Sequence, residues 1–437
     1  MLLTSQIRRS LDFLPDIDLF RSMLARIMWM RYQPSRDRDS VRSIVDLCGI
    51  ARLSDASSAR DAALQRRVEA EILECVKRCK DKSTDWPSLI GDWKPGVIEK
   101  AVILKPYIDD RERGVILISF EYQFARLMAI ERLADFAKHY AIVIAPTWSL
   151  PHSITNSLLP AQYPDKRIFT LISNRADINV FPRLSPKWNV IPLYASNWVN
   201  PDLYKPVPFR DKHIDIVMLA NFSRYKRHFD LFKALRKMPT SLKVVLIGQP
   251  SGNGTAAGLL DLARSYGVED RITIKESVSN SEVMEGLTHA KISLVLSRRE
   301  GSCVAVVESI FANTPVGLYR DAQVGSREFI NNHSGAFLGR QDLGKEIMRF
   351  IERSELYSPR DWAVRAGVGC RESTDKLNEA LRVAALADNQ RWTVNLAVHY
   401  WNPNPLLLGA DTIENMRAEY LRVQQRYGLT LGTQHWK

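Results

Sequence analysis

Glu300 and Glu308 stand seven residues apart behind an apolar, β-prone run, Ser293 to Ser297, and a short charged loop containing Arg298 and Arg299. Gly301 and Ser302 follow the first carboxylate, where a helix is expected to begin, and Thr314-Pro315 precedes the next expected strand. In a parallel α/β sheet, ligands bind at the carboxyl ends of strands, and the first N–H groups of the following helix attract anions. A carboxylate in the loop, the amides of Gly301, Ser302 and Cys303, and a second carboxylate on the helix would hold a polyol joined to a phosphate. A nucleotide-sugar fits that description. Glu308 lies among Val304, Val306, Val307, Ile310 and Phe311. A carboxylate buried there needs hydrogen-bond partners; the alternative is a Glu on the polar side of its helix, facing water.

Glu, seven residues, Glu, then a small residue and a Thr-Pro-Val turn resembles the donor-site pattern of retaining glycosyltransferases of family 4. The stretch from Val199 to Leu235, then SLKVVLIGQP, then RITIKESVSNSEVMEGLTHAKISLVLS are similar to the successive units of that family's donor domain. The similarity covers roughly residues 199 to 387. It implies the GT-B fold, with two Rossmann-like domains facing a cleft, and a donor that is a UDP- or GDP-linked sugar. It also implies roles. Glu308 would accept hydrogen bonds from the ribose hydroxyls, and Glu300 would meet the transferred sugar near its anomeric centre. Gly301, Ser302 and Cys303 would offer amides to the phosphate, and Lys226 would neutralise it. The arginine usual five residues before that lysine is replaced by Asn221, and Arg224 is the candidate for the missing charge. A histidine often serves the family from the first domain, and His152 is the candidate here. Glu121, after the run GVILISF, is a second candidate for acceptor contact. Ser302 can alternatively act as a helix N-cap.

Bulk properties set limits. At 437 residues and 45% hydrophobic content, two or three domains with their own cores are expected. Five cysteines lack paired metal-ligand spacing, Cys75 and Cys79 being four apart in a helical pattern, so free thiols and a cytoplasmic setting are expected. No run approaches the apolar length of a membrane span, and MLLTSQIRRS is no secretory leader. The net charge is +12, with local density at Arg224–His228 and Arg298-Arg299, where a diphosphate would need counter-charge. Nucleic-acid-binding motifs are absent, so nucleic acid ranks low as a partner. Asp16-Ile17-Asp18 and Asp37-Arg38-Asp39 follow no apolar strand, so no metal site is expected.

Four regions are expected: a helical extension over 1–95, a Rossmann-like acceptor-side domain over 96–203, a Rossmann-like donor domain over 204–370, and a crossing helix with a tail over 371–437. The fold class is α/β with helical ends. In the first region Ile17, Phe20, Leu24, Ile27 and Met28 recur at helical spacing beside Arg21, Arg26 and Arg31. They suit either a packing helix or a basic amphipathic helix peripheral to an anionic membrane face. Three functions stay open at this level: sugar transfer to a glycan, lipid-linked or other hydroxyl acceptor without a metal; nucleotide-sugar epimerisation; and a weakly active relative that binds partners.

Overall fold

The computed structural model describes residues 17–32, 40–54, 59–91, 93–146 and 151–432. Asp16, Asp37 and Asp39 of the Asp-x-Asp sequences and the first sixteen residues lie outside that range. The chain forms two compact units. One holds the described residues of Met1–Pro192, Ala380–Ala397 and Leu407–Lys437, the other Leu193–Glu379 and Val398–Leu406.

Three helices open the first unit: α1 (Asp18–Tyr32), α2 (Ser40–Leu53) and α3 (Ala59–Cys79). Its sheet runs in the order β1 (Ala101–Lys105), β2 (Gly114–Ser119), β3 (Tyr140–Ala145), β4 (Ile168–Ile172) and β5 (Trp188–Tyr194). β1 and β2 pair antiparallel as a hairpin, with an irregularity between Ile103 and Lys105. The joins from β2 to β3 and from β3 to β4 are parallel. Strands buried on both faces need continuous apolar runs, which explains why every residue of β1 and β2 is buried.

Of the expected stripe of α1, Phe20, Leu24, Ile27 and Met28 are half-buried and Ile17 is exposed, while the fully buried positions are Ser22, Ala25 and Tyr32. Polar attachment decides this: Ser22 Oγ donates to Asp61 at 2.6 Å and Arg26 reaches the same carboxylate at 3.0 Å.

Two later segments complete the first sheet. Arg391 to Ala397 lies along the β1–β2 hairpin. There Lys105 and Glu112, both fully buried, pair at 2.9 Å, and Glu112 also accepts from Thr393 N at 2.6 Å, Thr393 Oγ1 at 2.7 Å and Val394 N at 3.1 Å. Burial alone would raise the Glu112 pKa, but Lys105 and the Thr393 and Val394 donors outweigh it and hold the carboxyl at about 2. The second segment is the helix Ala410–Tyr427. Its Glu419 accepts from Tyr107 N at 2.9 Å and from Tyr140, and Tyr420 Oη accepts from Ile103 N at 3.0 Å. These acceptors answer backbone groups of the edge strand and the loop after it.

The second unit is one parallel six-stranded sheet. Its strands are β6 (Ile214–Leu219), β7 (Val244–Gly248), β8 (Ile272–Glu276), β9 (Ala290–Val295), β10 (Val316–Tyr319) and β11 (Gly335–Leu338), in the order β11-β10-β9-β6-β7-β8. Strand order reverses between β6 and β9, which is where a doubly wound sheet opens a crevice for ligands. Gly248 ends β7, and a Cβ there would lie 2.0 Å from Ala220 O, so only glycine lets those backbones meet. The helix Cys370–Ala387 carries the chain out of this unit and into the first at Ala380.

Glu112→Gln leaves the Lys105 ammonium buried without its counter-charge. The variant should lose about 3 kcal/mol of stability or more, read by urea unfolding with Trp fluorescence. The folded pKa of Glu112 lies below the value near 4.3 expected when unfolded. Its stabilisation is therefore complete above that unfolded value and is lost as pH falls toward about 2. The variant should lack that acid-dependent loss.

Candidate functional site

Of the residues singled out by sequence, Lys226, Glu300 and Cys303 meet in the second unit. Strand β9 delivers the loop Leu296–Glu300 to the carboxyl end of the sheet. Backbone bonds from Glu300 N to Gln323 O (3.1 Å), Gln323 N to Arg298 O (2.6 Å) and Gly325 N to Gly301 O (2.8 Å) pin that loop against the one after β10. Across from it, Arg224–Lys226 forms a single 3-10 turn. Lys226 Nζ meets Glu300 Oε2 at 2.6 Å, with side chains only 12% and 9% exposed. Burial opposes the charged lysine, but the Glu300 carboxylate outweighs it and holds the ammonium well above its ordinary pKa. The other oxygen, Glu300 Oε1, is buried with no hydrogen-bond partner. A buried carboxylate oxygen without a donor is costly and marks where a ligand hydroxyl would bind.

The helix that follows starts later than expected. It spans Ala305–Phe311, after Cys303 adopts a left-handed backbone with φ of 51°. Ser302 is therefore no N-cap. Its hydroxyl, fully buried, accepts from Ser196 N at 2.9 Å and meets Ser196 Oγ at 2.5 Å. The Cys303 thiol sits against Glu300, and burial together with that carboxylate pushes its pKa far up, so it stays protonated.

Glu308 is on this helix, labelled α8 here after α4 (Ile154–Gln162), α5 (Asp177–Leu184), α6 (His228–Leu235) and α7 (Asn280–Thr288). Its side chain is half-buried, not on an open polar face. Burial raises its pKa to about 7, against a weak hydrogen bond from Tyr204 Oη at 3.3 Å. Tyr204 was not marked by any sequence pattern. The Thr-Pro turn after α8 also has a structural part: Thr314 Oγ1 donates to Leu287 O at 2.7 Å and accepts from the buried Lys212 Nζ at 3.0 Å.

The remaining expectations land elsewhere. Asn221 is half-buried, with Oδ1 accepting from Ser223 N at 3.3 Å, and Arg224 is exposed on the 3-10 turn. Lys226 does not open a helix; α6 begins at His228, after Arg227 takes a left-handed φ of 62°. A non-glycine residue in that conformation is strained by about 1 kcal/mol. His152 belongs to the first unit and is 3% exposed, its Nε2 at 2.8 Å from Glu69 Oε1. Arg183 holds the same carboxylate at 2.7 and 3.0 Å, and Arg52 Nε donates to His152 O at 2.6 Å. That network ties α2, α3 and α5 together, so His152 is a packing residue and not an exposed acid or base. Glu121 begins a helix after β2, and its side chain lies outside the described ones.

A family model described as glycosyl transferases group 1 matches residues 200–362, which include Lys226, Glu300 and Glu308. No curated protein matches the chain significantly. Among solved structures, sucrose-phosphate synthase from Thermosynechococcus elongatus is 15% identical over 74% of this chain and 79% of that one, with a TM-score of 0.48. HepE of Anabaena in complex with UDP is 15% identical over 62% and 78%, at 0.47. The lipopolysaccharide outer core galactosyltransferase WaaB is 15% identical over 74% and 81%, at 0.46. With its group 1 domain in residues 200–362, the chain is a glycosyltransferase.

Proposed function

We propose that the second unit binds a nucleoside-diphosphate sugar at Lys226, Glu300 and Glu308 and transfers the sugar, with retention, to a hydroxyl acceptor of a glycan or lipid-linked glycan. The observation that carries this is the unmet demand of two carboxylates. Glu300 has one oxygen on Lys226 and the other without a hydrogen-bond partner, with only the Cys303 thiol beside the carboxylate, and the pKa of Glu308 is raised to about 7 by burial with a single weak donor. Ribose hydroxyls would supply donors to Glu308, and a sugar hydroxyl would supply one to Glu300. The diphosphate would draw Lys226 toward itself. As the bond from the anomeric carbon to the phosphate oxygen breaks, negative charge grows on the diphosphate, where the ammonium stabilises it, and Glu300 stabilises the positive sugar. The acceptor oxygen bonds to the anomeric carbon, and its proton passes to the departing phosphate oxygen.

We also propose that the first unit rests on an anionic lipid surface at the cytoplasmic side of a membrane. Leu19, Met23 and Met30 project from α1, 80%, 52% and 64% exposed. A shallow depression beside them is lined by Arg26, Trp29, Met30, Arg60, Leu64 and Arg67. Apolar side chains ringed by arginines complement an anionic interface. Among the described residues no helix is long and apolar enough to cross a membrane.

The three donor-site residues should fail differently. Glu308→Gln should weaken nucleoside diphosphate binding, UDP or GDP whichever binds, by roughly 1.5–3 kcal/mol in calorimetry. Glu300→Gln should leave that binding nearly intact and lower turnover. Lys226→Ala should impair both. Equal, small effects at all three would remove the site from the mechanism.

Hydroxyl donors favour the ionised form of Glu308, so binding should release a proton wherever the free protein still holds one. Nucleotide affinity should rise with pH and level off above about 7, the value burial gives Glu308. Calorimetry in buffers of different ionisation enthalpy reads the proton directly. A flat affinity from about pH 5.5 to 8 contradicts the role of Glu308.

Co-sedimentation with phosphatidylserine vesicles should fall as salt rises and should be lost in Leu19→Glu/Met23→Glu. Binding indifferent to salt and to both substitutions would show that α1 does not dock.

A further inference from the structure

Beyond the proposed donor site, the second unit contains a cavity of about 310 Å³ that the reaction does not use. It lies between α6 and the segment leading from β11 into the helix Leu343–Glu352, and its size is at the lower end for small-molecule sites. Four cations line it: Arg227, Lys233, Lys237 and Arg340. Two carboxylates, Asp230 and Asp342, share the wall. Asp230 is already engaged, accepting from Arg227 Nε at 2.7 Å and from the buried Tyr319 Oη at 2.8 Å. Asp342 meets Lys345 at 2.9 Å. Arg340 is 3.0 Å from Asp321. Lys233 and Lys237 form no ion pair among the described residues; Lys237 is close enough to Asp342 to help hold its carboxyl below the usual range, but Asp342 is paired with Lys345, so the cavity keeps a net positive wall.

The backbone adds a second, independent sign. Arg227 holds a left-handed conformation that glycine would adopt without strain, yet it is an arginine, 6% exposed, with its side chain fixed on the cavity wall. Strain retained at one residue, together with a cationic cavity that residue lines, points to use.

We propose that this cavity binds a phosphorylated small molecule, its phosphate held between Lys233, Lys237 and Arg340. The site is coupled to the loop that carries Glu300. Asp321 is shared between Arg340 on the wall (3.0 Å) and Arg298 (3.2 Å), two residues before Glu300. Arg227 on the wall also directly follows Lys226, the partner of Glu300. An anion that takes Arg340 from Asp321 changes the charge balance on Arg298, and so the pose of the loop at the donor site. Coupling of this kind is reciprocal: what fills one site shifts affinity at the other.

The test uses the full chain carrying Lys226→Ala, which removes the phosphate contact proposed for the donor site, so that the outcome does not depend on that reading. Inorganic pyrophosphate is titrated by calorimetry, and the amide resonances of Arg298 to Glu300 are followed by NMR. Saturable binding that moves these resonances is expected. Adding Lys233→Glu and Lys237→Glu, both exposed positions, should weaken binding about tenfold or more while leaving the thermal melt unchanged. Parallel titrations with inorganic phosphate and with a hexose phosphate separate a free anion from a phosphate ester, and either one binding with the same dependence on the lysines supports the site. No binding by the Lys226→Ala chain, or equal binding after both lysines are reversed, overturns it.

Discussion

A carboxylate with one oxygen satisfied and the other buried without a hydrogen-bond partner is the constraint around which the second unit is arranged. The Glu300 carboxylate holds Lys226 charged at 12% exposure, and removing either partner would leave the other buried without its counter-charge. Each is delivered by a different crossover of the sheet, Lys226 by the turn after β6 and Glu300 by the loop after β9, and these two strands are neighbours where strand order reverses. The pinned backbone between Arg298–Gly301 and Gln323–Gly325 keeps the Glu300 loop from relaxing outward into water. Stability and chemistry therefore make opposite demands on the same atoms. Closed on each other, the two charges make the empty site tolerable; a diphosphate and a sugar would each take one of them.

The first unit solves a different problem. Its sheet has an antiparallel edge, whose backbone groups need partners. The C-terminal segments supply them: Glu419 and Tyr420 take the N–H groups of Tyr107 and Ile103, and Thr393 and Val394 cap the buried Glu112. The helices at the start are locked in the same way, by Asp61 under α1 and by Glu69 between His152 and Arg183. Buried charges thus serve as joints between segments far apart in sequence.

How much of this was legible depended on the range of the interaction. The buried strands of the second unit read directly as apolar runs between polar caps, and Ser279 forms its capping box with Glu282 as the local pattern suggests. The carboxylates at 300 and 308 were marked by spacing; Glu300 pairs with Lys226, and Glu308, on the helix that follows, meets Tyr204. Local pattern failed where a distant partner decided the outcome. Ser302 sits where a helix N-cap belongs, but Ser196 claims its hydroxyl and the helix starts at Ala305. His152 follows a strand as a catalytic histidine would, yet Glu69, eighty-three residues earlier, buries it. The apolar spacing of α1 marked a half-buried face, but not Ser22 beside it, which Asp61 buries. Tyr204 gave no local signal and shows only through its bond to Glu308. Arg227 read as one more charge in the run 224–228, and only its backbone angle sets it apart.

The claim that the Lys226–Glu300 pair is the closed form of a nucleotide-sugar site is tested most directly by a crystal structure of the chain with a nucleoside diphosphate bound. The account predicts the terminal phosphate within hydrogen-bond distance of Lys226 Nζ, both ribose hydroxyls on Glu308, and the 2.6 Å contact between Lys226 and Glu300 opened. A nucleotide bound elsewhere, with that contact intact, would contradict it.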